Sequence, residues 1–225
     1  MLKSIIGNAL TSGDWLMPIG FKLDNIEFST SGLQNIPRHA ALIGEIVTSF
    51  SLIEGVVGGI YGMLKHQQIE QAIEELKQLP SNHARVQAVR KLIAQSSVLS
   101  RDSSSDDLMK QVLGYAERRN KVAHGLWGAT PSDSDVAYRL PLKPWISTIA
   151  RIVSTSTSGT FLENIDRLKD EMESYGVAEL ADLKQEGEAL LTKVFALFNS
   201  LAMANAKADK WVESTTQPIG RAGGA

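Results

Sequence analysis

Cysteine is absent from all 225 residues, which excludes disulfides, thiolate zinc sites and cysteine nucleophiles together. The four histidines, His39, His66, His83 and His124, fall into no HExxH or other ligand spacing, so neither a metal centre nor a cofactor is expected. Neither sign of charge dominates: 23 Lys and Arg stand against 25 Asp and Glu, a net charge of −2. No global positive field draws the chain to nucleic acid or to an anionic membrane, and any contact with a polyanion has to come from a local patch. The opening MLKSIIGNALTSGDW has one lysine and an apolar run too short for a signal-peptide core. Because Glu54 interrupts the Gly-rich stretch Leu52 to Leu64, no run approaches the ~20 apolar residues of a membrane span. A soluble, cytoplasmic protein without a membrane partner is the expectation. A phosphate-binding glycine loop is missing too, since Gly55 to Gly62 lie in a helical pattern with no Lys-Ser/Thr after them.

What the chain does have is helical periodicity. Residues 1–36 are mixed, with turn residues suited to a short hairpin before Pro37 opens a helix over 38–66. In it Ile43, Ile46, Val47, Phe50, Ile53, Val57, Ile60 and Tyr61 recur at helical spacing. Gly55, Gly58, Gly59 and Gly62 each cost roughly 1 kcal/mol there against alanine, for which close helix packing is the expected reason. Helices follow over Gln67–Leu79 and Asn82–Gln95, then a polar loop over 96–105, then a fourth helix from Asp106. Past Gly125 the turn residues Thr130–Asp135, flanked by Leu126-Trp127 and Val136–Leu140, predict a small β-hairpin. Residues 142–152 fit either state. Helices over Phe161–Ser174 and Val177–Ala206 return to the core, and 211–225 reads as a disordered tail. The expected fold class is all-α: one helical domain over 37–210, with a hairpin or loop insertion at about 126–158.

One stretch carries chemistry: Arg119-Asn120-Lys121-Val122-Ala123-His124-Gly125. Leu108, Met109, Val112, Leu113, Ala116 and Ala123 mark the buried stripe of its helix, and continuing the stripe lands on Arg119 and Asn120. Arg118 instead lines up with Asp107, Gln111, Gly114 and Lys121 on a solvated face. Asn120 and His124 share a face, whereas Arg119 and His124 stand about 140° apart, an angle a guanidinium arm can span. Gly125 suits a helix C-cap. Polar groups on an apolar stripe need partners, and Glu54, in line with Val47, Phe50, Val57 and Tyr61, is the carboxylate expected to meet Arg119. Such a cluster either performs chemistry or is a satisfied polar network that fixes helix register.

These residues resemble the HEPN superfamily, small helical domains many of which are metal-independent endoribonucleases and toxins. The signature there is Arg, a polar residue that is often Asn, three residues, then His, near the end of one helix of a four- or five-helix bundle. RNKVAH matches it at Arg119, Asn120 and His124, and Ser49-Phe50-Ser51-Leu52-Ile53-Glu54 is similar to the phrase that carries the family's accompanying acidic residue. The resemblance covers roughly Pro37 to Gly128, and implies an antiparallel bundle, here of four to six helices. It also implies cleavage of RNA by the substrate's own 2′-hydroxyl, leaving a 2′,3′-cyclic phosphate. His124 would be general base or acid, Arg119 would neutralise phosphorane charge, Asn120 would orient the histidine or the phosphate, and Glu54 would position Arg119. HEPN nucleases commonly dimerise, which implies a homodimer whose second histidine comes from the partner. A role as a toxin or phage-defence effector, with an antitoxin or other protein partner, is likewise implied. The alternative is a non-catalytic HEPN-like domain that binds RNA, a nucleotide or a protein. Substrate contacts are expected from Arg118, Lys121 and Trp127, although a tryptophan there more often packs against the bundle. Arg85, Arg90 and Lys91 form a second basic group, an RNA contact or an ordinary solvated face.

Overall fold

The computed structural model describes residues 20–29, 32–97, 99–100, 103–131, 133–155 and 167–216. In chain order these hold β1 Gly20–Leu23, β2 Ile26–Ser29, a 3-10 turn Gly32–Asn35, α1 Pro37–Lys65, α2 Ile69–Lys77, α3 Asn82–Gln95 and α4 Ser104–Ala123. Then come β3 Gly125–Thr130, β4 Asp133–Pro141, α5 Leu142–Thr155, β5 Glu173–Gly176 and α6 Val177–Thr216. The chain is mostly helical, as expected, but the all-α class needs correction. One hairpin was expected after the motif helix, and the structure has a five-stranded antiparallel sheet in the order β1-β2-β3-β4-β5. Two compact units divide the chain, residues 1–45 with 120–183, and 46–119 with 184–225, so the stretch 37–210 contributes to both.

The unit of residues 46–119 and 184–225 is built from helices. In α1 the residues Ile46, Phe50, Ile53, Val57, Ile60 and Tyr61 are buried, every third or fourth position. Ser81 caps α3, its hydroxyl accepting from the amide of Ala84 at 3.2 Å. Val86, Val89 and Ile93 then form the buried stripe of that helix, as Leu190, Val194 and Leu201 do in α6. Close packing accounts for three of the four glycines over 55–62 of α1. A Cβ at Gly58 would stand 2.7 Å from Ile73, at Gly59 2.6 Å from Phe198, and at Gly62 3.0 Å from Ala72. At Gly55 it would meet nothing within 4 Å.

Tyr115 of α4 is fully buried, and its hydroxyl has no hydrogen-bond partner among the described residues. Burial pushes its pKa up to about 12, with the nearby Glu186 carboxylate adding to the rise. Gly187 of α6 makes room for this ring, since a Cβ there would lie 2.6 Å from the Tyr115 Cζ. A buried donor without an acceptor costs about 1–3 kcal/mol. Tyr115→Phe is therefore expected to leave stability equal or higher by about 1 kcal/mol in urea unfolding. A drop of that size would show that the hydroxyl contributes a bond.

The unit of residues 1–45 and 120–183 holds the sheet. Asp24, in the left-handed region at φ 54°, turns β1 into β2, and the register pairs Gly20 with Ser29 and Leu23 with Ile26. β2 meets β3 through Phe28 and Gly128, β3 meets β4 through Trp127 and Arg139, and β4 meets β5 through Arg139 and Glu173. Leu23, Ile26, Phe28, Leu140 and Leu168 are buried together beneath it, with Leu126, Tyr138, Trp145 and Met172 packed around them. The helix expected over 161–174 is corrected in its C-terminal part. Residues 167–170 are helical, Glu173 and Ser174 belong to β5, and 161–166 lie outside the described residues. Residues 142–152 resolve as helix α5. Of the expected irregular segment 1–36, residues 20–29 form a hairpin and 1–19 lie outside the described residues. Of the expected tail, 211–216 are helical and 217–225 lie outside the described residues.

By length and composition, α1 and the Val177–Ala206 stretch of α6 are apolar enough to cross a membrane, with mean hydropathies of 1.7 and 1.3. Glu54 alone does not take α1 below that composition.

Candidate functional site

Helix α4 carries the motif because its first turn holds Asp106 and Asp107, which favour the positive end of the macrodipole, and because Leu108, Met109, Val112, Tyr115, Ala116 and Val122 are buried along one stripe. Asp107, Gln111, Arg118 and Lys121 are exposed, as the phase of the helix predicts. His124 follows the last helical residue, is exposed, and its amide donates to the Asn120 carbonyl at 3.0 Å. The boundary between the two units falls between Arg119 and Asn120.

In the unit that contains Arg119, the guanidinium lies over the Phe50 ring, 5.0 Å from its centroid, a cation–π arrangement. Glu54 was expected to hold Arg119, and here the structure differs. The ion pair of Glu54 is with Arg85 of α3, Nη1 to Oε1 at 3.4 Å, and Arg85 Nη1 also donates to Asn82 Oδ1 at 3.2 Å. Helix phase sets which side of α1 a residue occupies but not which neighbouring helix it meets there. Glu54 and Arg85 border a cavity of about 260 Å³ with an apolar floor that includes Phe50, Ile73, Leu76 and Val112.

The basic candidates are largely neutralised. Arg118 is exposed and ion-paired with Glu186, and Arg85 with Glu54. Arg90 grips Asp106 with two bonds, Nε to Oδ1 at 2.6 Å and Nη2 to Oδ2 at 3.0 Å, and Lys110 reaches the same carboxylate at 3.0 Å. The Arg90 and Lys110 hydrogen bonds hold the Asp106 carboxyl down at about 2. A carboxyl depressed in the folded state contributes stability above its unfolded pKa of ~3.9 and loses it as pH falls through the folded value. The stability gap between wild type and Asp106→Asn is expected to be open at about pH 6 and closed near pH 2. A gap unchanged over that range would mean the pair contributes nothing.

In the unit that contains Asn120 and His124, the hairpin β3–β4 holds the end of the motif helix. Trp127 is 6% exposed, its ring packs against Tyr175 with centroids 5.4 Å apart, and its indole N–H donates to the Val122 carbonyl at 3.2 Å. That corrects the expected stacking on a base: the ring is spent on the sheet and on a terminal helix carbonyl. Gly125 is not the left-handed cap expected either. It opens β3, and a Cβ there would stand 2.8 Å from both Cγ and Nε of Arg139.

Arg139 is the residue that sequence reasoning missed. It is 5% exposed, Nη2 donates to the His124 carbonyl at 3.0 Å, and Nη1 donates to Glu173 Oε2 at 2.8 Å. The Tyr175 hydroxyl donates to the same Glu173 oxygen at 2.8 Å, and burial, with this bond second, raises the tyrosine to about 12. Strand alternation carried no signal for it, since Val136, Tyr138 and Leu140 mark the apolar face and Arg139 falls with Ala137 on the other. Among the described residues, no three His, Asp or Glu side chains converge as metal ligands would. No protein-family model, curated protein or solved structure matches this chain.

Proposed function

We propose that the chain is a metal-independent endoribonuclease of the HEPN type, in which the substrate's 2′-hydroxyl attacks the adjacent phosphate and the 5′-oxygen leaves. The observation that carries this reading is the RNKVAH motif at the end of α4, with His124 solvent-exposed just beyond the last turn. An exposed imidazole can give or take a proton from a bound RNA without first being uncovered. Arg119 serves the phosphorane charge by paired hydrogen bonds, and Asn120 orients the histidine or the phosphate. Glu54 is engaged by Arg85, and the Arg119 guanidinium lies over the Phe50 ring. One imidazole supplies either the base or the acid, and a second copy of the chain supplies the other. A toxin or defence role, restrained by an antitoxin, is the biological setting that this chemistry suits.

A second reading has its own support. The Glu-Arg pair of the family pattern is replaced by Glu54–Arg85, and Arg118 is neutralised by Glu186, as in a non-catalytic domain that binds RNA, a nucleotide or a protein. Incubating purified protein with a labelled mixed-sequence RNA in EDTA separates the two. Cleavage supports the nuclease, and retention of intact RNA by the folded protein supports the binding domain.

A further inference from the structure

A charged guanidinium that is 5% exposed is costly to bury unless its donors are used, and Arg139 directs Nη1 and Nη2 at two acceptors while its Nε meets none among the described residues. On one side it grips Glu173, its register partner across β4 and β5, and on the other it reaches back to the main-chain carbonyl of His124. The approach is close because residue 125 has no side chain: a Cβ there would overlap the arginine at 2.8 Å. Glu173 is fixed in turn by the Tyr175 hydroxyl, and the Tyr175 carbonyl lies 3.2 Å from Nε2 of the buried His39. The Trp127 indole holds the Val122 carbonyl two residues upstream.

The result bears on the imidazole. His124 follows the last helical residue: its amide is still held by the Asn120 carbonyl, and its own carbonyl, with no helical turn beyond it, is the group that Arg139 takes. Fixing the carbonyl fixes the peptide plane between residues 124 and 125, and with it the direction in which the Cα–Cβ bond of His124 projects.

We infer that Arg139, anchored by Glu173, is a positioning residue for His124, so that the sheet rather than the helix sets where the proton-transfer group stands. The inference rests on the nuclease reading for its catalytic consequence, though not for its geometry. A misplacement of about 1 Å at a reacting group can lower a rate on the order of 10²-fold. Arg139→Met is expected to lower kcat by about that factor with KM little changed, and Arg139→Lys, which keeps the charge and a donor, to recover part of it. Glu173→Gln keeps an acceptor and the fold while loosening the grip, with an expected loss of about 10-fold in kcat. In parallel, backbone relaxation by NMR reads the geometry without RNA. In Glu173→Gln and Arg139→Lys the order parameters at residues 124 and 125 are expected to fall from about 0.85 toward 0.6, with the rest of α4 unchanged.

A wild type that cleaves no RNA sinks the nuclease reading, while the NMR comparison still decides the geometry. Folded Glu173→Gln and Arg139→Lys proteins with unchanged order at residue 124 and, where cleavage occurs, unchanged kcat overturn the positioning role. If Arg139→Met does not fold, the other two variants carry the test.

Discussion

Replacing His124 with alanine is expected to lower RNA cleavage by about 10²–10⁴-fold while the unfolding transition stays in place. On the proposed mechanism the rate loss follows from removing the group that transfers a proton in the transition state. The unchanged stability follows from the position of the side chain, which is exposed and stands beyond the last helical residue. Exposed substitutions of this kind stay within about 0.5 kcal/mol. Single-turnover cleavage and a thermal melt of the same preparations read both quantities. Loss of rate with stability intact identifies His124 as chemical. A melt that shifts downward together with the rate identifies it as structural, and an unchanged rate removes it from the mechanism. Arg119→Ala is a weaker discriminator, because its guanidinium also covers the buried Phe50 ring and its removal alters packing.

Phe50→Ala is expected to cost about 3–5 kcal/mol of stability, the largest structural effect of any single change considered. Phe50 is 1% exposed, its ring lies 6.0 Å from that of Tyr115, and the Arg119 guanidinium rests on its face. It also borders the 260 Å³ cavity beside Glu54, so truncation enlarges a space that its neighbours already fail to fill. The control is two residues away: Leu52 is 52% exposed, and Leu52→Ala is expected within about 0.5 kcal/mol. Urea unfolding of the two variants checks the phase of α1 directly. Equal losses would show that the helix does not turn Phe50 inward. Because the Arg119 platform goes with the ring, Phe50→Ala should also lose cleavage at temperatures where it remains folded.

The helices were legible because their signals are local. The bounds of α3 over Asn82–Gln95 follow from Ser81 as cap and from Val86, Val89 and Ile93 at helical spacing. The β3–β4 hairpin was legible from the turn chemistry at 130–135. β5 was not, because Glu173–Gly176 is four residues long with no hydrophobic alternation, and its pairing with β4 joins residues 34 positions apart. The partner of Glu54 was misjudged for a related reason. Periodicity assigns a carboxylate to a face, but the choice between Arg85 and Arg119 depends on which helix packs there. Trp127 shows the same limit, since its alternatives differ only in whether a sheet covers it, and the extent of that sheet depends on pairings far apart in sequence. The place of Arg119, Asn120 and His124 at the end of α4 was legible from helix phase and from Gly125 after them. Arg139 and Glu173 were not, because the two make their bond only once β4 and β5 are paired.

The most direct measurement of the central claim is the chemistry of the RNA ends left by the wild-type protein in EDTA, read by mass spectrometry and repeated on an RNA with 2′-deoxy residues at the cleaved positions. The account predicts 2′,3′-cyclic phosphate and 5′-hydroxyl ends from the first RNA and no cleavage of the second. Cleavage of the deoxy-substituted RNA, or products ending in 3′-hydroxyl and 5′-phosphate, would contradict it.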